Sequence, residues 1–544
     1  MQLRAPANPG KNRARQRIVR EEPMPFPVGG WNSKSPLAAM ESQFAVQLKN
    51  WFPQAGYGEI RRGFRKHAGS MGVTTPVESL MAWRGPSSSK LFAAAGSVIY
   101  DVSAATDAIP AVTGASTARD QHVNFTTSAG HFLFVVNGAD AAAYYNGSAW
   151  VEPVITGISS TDFVHVNSHK QRLWFVEINS TSAWYLDAAA VAGAATEFAL
   201  GSVFSRGGYL MAMGTWTRDG GAGADDFAVF ISSEGQCALY QGTDPSSADT
   251  WALVGTFDVP PPIGRRCFFK FGADLGLITL AGVFPLSQLL AVDQSQAPQV
   301  ALTDNISPDF NLAARNDGSN WGWEACVYPK GTRLIVNIPT VENETAKQYV
   351  MNTLTGGWCE FDAHNAQTWI VWNDALYFGG PDGAVYKADT GAVDYDAEIV
   401  AVGQSAYNAM GSPYLKQWEM VRALITASGG TRPEIGVSCD FTETDSLTSA
   451  SAALSSGAVF GTAVFGTSVF AADTAIASEW SVIGNVGVFG SIKFRGRIGV
   501  TADDSAAKWG VARWGVDVWG ASGTTEETLK LNGFMVTAEA GGVL

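Results

Sequence analysis

Charge is scarce in this chain. Of its 544 residues, Asp, Glu, Lys and Arg make up 16 %, against roughly a quarter in an ordinary globular domain. That scarcity argues against a helical bundle or coiled coil, whose exposed faces need charged residues. Cysteine is scarce as well: Cys237, Cys267, Cys326, Cys359 and Cys439 stand apart, with no CxxC spacing. An odd number of scattered thiols excludes a disulfide scaffold and a zinc site, and suits assembly in a reducing cytosol. Long apolar runs are absent. The most apolar stretch, Leu277 to Val292, is interrupted by Pro285, Ser287 and Gln288, so no membrane span is expected. The positively charged N-terminus is followed by no apolar segment of the kind a secretory signal requires. The phosphate-loop pattern GxxxxGK[ST], the nucleophile elbow GxSxG and the zinc pattern HExxH are all missing.

What is abundant is Gly (59 residues), Trp (18) and aromatic residues in general (11 %). This is the material of strands and tight turns. From about residue 75 to 400 a unit recurs in which two short apolar runs flank a Gly turn. Leu91–Asp101, Phe132–Gly147, Leu173–Asp187, Phe227–Tyr240 and Leu376–Tyr386 are its clearest copies. Asn137-Gly138, Asn146-Gly147 and Asp382-Gly383 are hairpin signals, because a type I′ turn needs positive φ at both central residues. Hairpins at roughly 40–50-residue spacing point to four-stranded blades. The expected fold is all-β: a β-propeller of roughly six to eight blades over 75–404, with a series of irregular sandwiches as the alternative. Residues 405–544 read as a smaller, sandwich-like β-domain, 31–74 as a linker or docking segment in which Ser35 and Pro36 open a short helix, and 1–30 as an extended arm.

The arm is basic. Arg4, Lys11, Arg13, Arg15, Arg17 and Arg20 occur before the first acid, leaving 30 bases against 50 acids beyond residue 20. A body with a net charge of −20 is no generic nucleic-acid binder. The six bases are candidates for docking on an acidic protein face. The C-terminal domain holds two five-residue repeats, one carrying Phe460, Phe465 and Phe470, the other Trp509, Trp514 and Trp519. A period of five matches neither helix nor strand, so these aromatics belong to bent strands, either in the core or at a subunit interface.

Catalytic constellations do not emerge. His165 and His169 sit four apart, but in a stretch that reads as a strand, where this spacing does not chelate. Glycosidase chemistry needs two carboxyls facing each other across a cleft. Asp225-Asp226 and the Glu342/Glu344 pair are the local candidates, in loops where acids are ordinarily solvated. Thr217–Gly221 has a Gly/Asp composition that would suit calcium. Asn146 and Asn343 fit glycosylation acceptors without an accompanying secretory signal. No cofactor and no enzymatic activity are expected.

Several segments, in order, resemble structural proteins of tailed phages. They are Gly29–Asn32, Leu48–Pro53, Gly56-Tyr57, Arg62–Phe64, Leu91–Asp101, Val123–Thr127, Val136–Asp140, Gly214–Thr217, Tyr240–Pro245, Pro262–Cys267 and the Trp-Gly run at the C-terminus. The chain is most similar to the tail nozzle, or head-to-tail connector, of short-tailed phages and to their packaged-DNA stabilisation proteins. That resemblance implies a six-fold ring of propeller subunits in the virion, assembled in the host cytoplasm. The partners it implies are the portal and adaptor above and tail spikes or fibres beside it. Double-stranded DNA would pass through the lumen without specific binding, and an acidic to neutral lumen would let it slide. A tail fibre or receptor-binding protein, and a propeller-type glycan hydrolase, are the competing readings.

Overall fold

Continuous apolar runs such as Phe132–Val136 and Leu173–Val176 are what a strand carries when both of its faces are buried, because successive side chains point to opposite sides. The computed structural model describes residues 19–72, 75–219, 224–293, 295–427, 433–443, 447–449, 475–477, 480–499 and 528–540. In it these runs build seven antiparallel sheets in succession. The innermost strands are Val77–Arg84, Gln121–Thr127, Phe163–His169, Leu210–Asp219, Phe268–Phe271, Glu324–Tyr328 and Thr368–Trp372. Each blade packs on the next, and the seventh packs back on the first. The protein is an all-β, seven-bladed propeller with a second β-unit.

Alternation along the strands fills the seams between blades. Leu173 and Phe175 join Phe125, Phe134 and Phe163 between blades 2 and 3. Their neighbours Trp174 and Val176 join Met213 and Phe230 between blades 3 and 4. Met81, Phe92 and Leu133 fill the seam between blades 1 and 2, and Val229, Leu239 and Leu277 that between 4 and 5. Burying a side chain of this size stabilises by roughly 1.5–3 kcal/mol.

The ring is closed by the N-terminal part of the chain. Blade 7 takes three strands from residues 368–387, and Arg65–Ala68 lies antiparallel on Val385–Lys387 as its outermost strand. The segment 31–74 is therefore not a linker. Gly30–Trp31 and Phe44–Lys49 extend the outer edge of blade 6 into a larger sheet. That sheet continues through Ala397–Ser405, Gly490–Ile498 and Glu434–Cys439. Trp51–Gln54 and Tyr57–Ile60 belong to a second sheet, built on the long strands Lys416–Ala427 and Leu529–Ala540. Facing aromatics join the two sheets into a sandwich: Phe494 meets Trp51, Phe26 and Phe534 at ring-centroid distances of 5.5, 5.9 and 5.3 Å.

Two further expectations are corrected. Residues 1–30 are not arm throughout, since Val19–Pro25 pairs along its length with Leu529–Ala540 and Phe26 is buried in the sandwich core. Leu37–Met40 forms a turn rather than a helix, because only a local Ala39 N–H to Pro36 carbonyl bond closes it. The longest helix of the described residues, Ser307–Asp317, instead follows blade 5 and buries Phe310, Ala313 and Ala314.

Candidate functional site: the axial channel

The seven innermost strands enclose a channel of about 570 Å³. Arg84, Gln121, His122, His165, Arg265, Arg266, Lys270, Glu324 and Thr368 face it among apolar neighbours. Four bases against one acid is an inversion of the body's overall charge.

Arg266 spans one mouth of this channel. It precedes the first strand of blade 5, and its guanidinium reaches across to four other blades. Nη1 donates to Glu324 Oε2 of blade 6 at 3.0 Å and to Thr368 Oγ1 of blade 7 at 3.3 Å. Nη2 donates to Ser79 Oγ and the Glu78 carbonyl of blade 1 at 2.8 and 3.2 Å, and to the Asp120 carbonyl ahead of blade 2 at 3.0 Å. The Trp321 ring covers it at 4.6 Å, with Arg119 on the same indole at 5.2 Å. Arg119 in turn pairs with Glu78 and Glu342. A planar fork with five donors is suited to a junction of this kind, where Lys would supply only a point charge. The mouth is thereby filled by stacked side chains, and the channel opens toward the other face. There Lys330, Tyr328, Trp372 and Asn373 line a larger recess of about 1060 Å³.

Burial tunes the groups along the channel. His122 is held down to about 4 by burial, with Arg266 and Arg84 adding like charge. Burial and then Arg265 hold His165 down to about 3. Both imidazoles are therefore neutral at pH 7. Asp120, 2 % exposed, is pushed up to about 7 by burial, although Asn137 and Arg266 favour its ionised form. Glu324 is likewise raised by burial, against the pull of Arg266 and the bonds it accepts from Trp369 N–H and Thr368. The Glu324 carboxylate is committed to holding the mouth together, whereas Asp120 meets Arg266 through its backbone carbonyl.

Of the carboxylates singled out in the sequence, Asp226 and Glu342 are committed to other side chains. Asp226 accepts from Lys170 Nζ at 2.6 Å and from Thr217 Oγ1 at 2.7 Å. Glu342 is held by Arg119, and Glu344 is exposed. His165 and His169 lie on one strand, Phe163–His169. His165 lines the channel, whereas His169 Nδ1 lies 3.3 Å from Thr215 Oγ1. No group of three His, Cys, Asp or Glu side chains among the described residues is placed to hold a metal. All five cysteines are free, and burial raises every thiol, Cys439 to about 11 and Cys267 to about 12.

Of the docking-arm candidates, Arg4, Lys11, Arg13, Arg15 and Arg17 lie outside the described residues, and Arg20 falls on the strand Val19–Pro25 opposite Ala538. Phe460, Phe465, Phe470, Trp509, Trp514 and Trp519 also lie outside the described residues. The channel bases were not among the sequence candidates. Their one linear signal is the doublet Arg265-Arg266, the first bases after Arg218.

No family model matches the chain, and no curated protein matches it in sequence. Among solved structures the chain is similar to Sqt1 of Saccharomyces cerevisiae, at 10 % identity and a TM-score of 0.33 over 60 % of this chain and 99 % of that one. It is also similar to BBS1N, solved in complex with ARL6DN, at 10 % identity and a TM-score of 0.36 over 61 % and 98 %. The computationally designed Ika8 protein matches at 9 % identity and a TM-score of 0.34 over 60 % and 99 %. At those scores the likenesses carry no argument, and the propeller rests on its own seven sheets and their closed ring.

Proposed function

We propose that the chain is a structural protein of a phage tail, a subunit of the ring-shaped nozzle or head-to-tail connector through which packaged DNA leaves. The reading starts from the ordered resemblance along the sequence. The observation that supports it most is a pair of separate, unlike apolar strand surfaces. Leu253 and Val254 are about half exposed on Trp251–Asp258, the outermost strand of blade 4. Val482 and Val486 are 68 % and 55 % exposed on Trp480–Gly487, a strand of the sandwich. A closed ring is a heterologous assembly and needs two different sticky faces on every subunit. In this reading DNA does not run along the propeller axis, whose volume of about 570 Å³ is that of a small-molecule site. It runs through the lumen between subunits, where the acidic body would repel phosphates and leave the duplex free to slide.

The test is the native mass of the full-length chain, free and in assembled tails. A closed oligomer, six-fold by the resemblance, is expected. Leu253→Glu and Val482→Glu should each abolish it while leaving monomer melting within about 0.5 kcal/mol of the parent, as for other exposed sites. A chain that stays monomeric in assembled particles would overturn the reading in favour of a fibre component or an enzyme.

A further inference from the structure

We propose that the axial channel is a binding site for a small multivalent oxyanion, of phosphate or polycarboxylate type. The bases lining it fall into two groups. Arg266 is neutralised by Glu324 at 3.0 Å. Arg84, Arg265 and Lys270 have no carboxylate within ion-pair distance among the described residues. Arg84 donates to the Val371 carbonyl at 3.2 Å and Arg265 to the Met211 carbonyl at 3.1 Å, with the Tyr209 ring 5.6 Å from its guanidinium. Three cations without counter-charge thus line one concave space together with two neutral imidazoles. In a protein of net charge −14, acids are abundant, yet none among the described residues neutralises these three.

Unused hydrogen-bonding capacity lies in the same wall. Gln121, 8 % exposed, lines the channel, and its Nε2 has no hydrogen-bond partner; His165 Nδ1 is likewise buried without one. A buried donor left unmade costs about 1–3 kcal/mol. An anion held in the channel would give Gln121 Nε2 an acceptor and bring counter-charge to the cations lining the same space. The channel volume, about 570 Å³, lies within the range of small-ligand sites, roughly 300–1,000 Å³. Charge-assisted bonds from Arg are directional and suit planar carboxylate and tetrahedral phosphate alike. A duplex is excluded by size, so this site is separate from the proposed DNA path.

The experiment is isothermal titration of the full-length protein with inorganic pyrophosphate in one arm and citrate in the other, at low ionic strength. Saturable binding is expected in at least one arm. Which arm responds distinguishes phosphate from carboxylate chemistry. Lys270→Gln and Arg265→Gln should each weaken it about tenfold or more, whereas Lys34→Gln, on a remote surface pair with Asp304, should leave it unchanged. Lys270 is exposed, so its variant keeps the test open should the Arg265 variant fold poorly. No saturable heat in either arm, equal binding by the channel variants, or the same response to chloride at matched ionic strength would overturn the proposal. None of these outcomes depends on ring formation.

Discussion

Asp120 and Arg266 show how a residue's cost is set by its surroundings. Asp120 accepts from Asn137 through Oδ1 at 3.3 Å, while Oδ2 is buried without a partner. Its carboxyl titrates near 7 in the fold and near 3.9 in the unfolded chain. Below pH 4 both states hold the proton and Asp120 is neutral in its effect. As pH rises from 4 to 7 the unfolded chain gives up its proton and the fold does not, so stability is lost through that window, by on the order of 2–4 kcal/mol. Asp120→Asn should therefore melt higher than the parent above pH 7, with the gap closing as pH falls to 4. His122 and His165 act with the opposite sign: their lowered values remove stability as pH falls below about 6.5. A denaturation series from pH 4 to 8 on parent and variant separates the two effects, and a gap that does not change with pH would refute the role of Asp120. Arg266→Met tests the mouth. It leaves Glu324 buried beside an apolar chain, and breaking a buried pair from one side costs about 3–5 kcal/mol. Chemical denaturation checks it, and the paired variant Arg266→Met with Glu324→Gln should recover part of the loss.

At the scale of the element, the hairpins were legible and their turns were not. All five sequence copies of the repeat fall in separate blades. Yet Asn137-Gly138, Asn146-Gly147 and Asp382-Gly383 sit in longer loops where only the Gly has positive φ. The two-residue turns with positive φ at both positions are Lys170-Gln171, Asn373-Asp374 and Asp440-Phe441. None contains Gly, so the Asn-Gly and Asp-Gly signal misses them, and Lys170-Gln171 has no turn-forming residue at all. Gly383 is required for a further reason: a Cβ there would lie 2.1 Å from the Gly72 carbonyl oxygen, a contact between segments more than 300 residues apart that no window of sequence reveals. The closing strand of blade 7 was missed for the same reason. Arg65 lies opposite Lys387, two like charges that oppose each other across the pair. Replacing both by Cys removes that repulsion and places the thiols where neighbouring strands bring Cα atoms about 4.5–5.5 Å apart, within disulfide range. Oxidised Arg65→Cys/Lys387→Cys protein should gain about 2–4 kcal/mol over its reduced form, read from denaturant midpoints. Failure to form the bond would place the closing strand elsewhere.

Across the whole molecule, the propeller and sandwich are one continuous structure. The sheet of blade 6 runs into the sandwich, and one buried cluster extends from blades 5, 6 and 7 to Phe494 and Phe534. Arg61, 1 % exposed, is a rivet at that junction. It bonds Asp394 through both guanidinium nitrogens, the Asn50 side chain, and the Asp362 carbonyl. The sequence signalled two β-units but not their interleaving, since interleaving depends on pairings such as Val19–Pro25 with Leu529–Ala540 at opposite ends of the chain. That pairing decides where a docking arm can begin. Removing residues 1–18 takes five of the six arm bases and leaves the pairing of Val19–Pro25 in place, and under the proposed tail role it should weaken attachment to the tail stem. Removing residues 1–26 also takes the edge strand and Phe26, which packs against Trp51 at 6.2 Å and Phe494 at 5.9 Å. Loss of a buried Phe alone costs about 3–5 kcal/mol, so this second truncation should melt far lower. Equal melting of the two truncations would mean that the N-terminal strand does not support the sandwich. Normal tails from the 1–18 deletion would refute the proposed docking role of the basic residues.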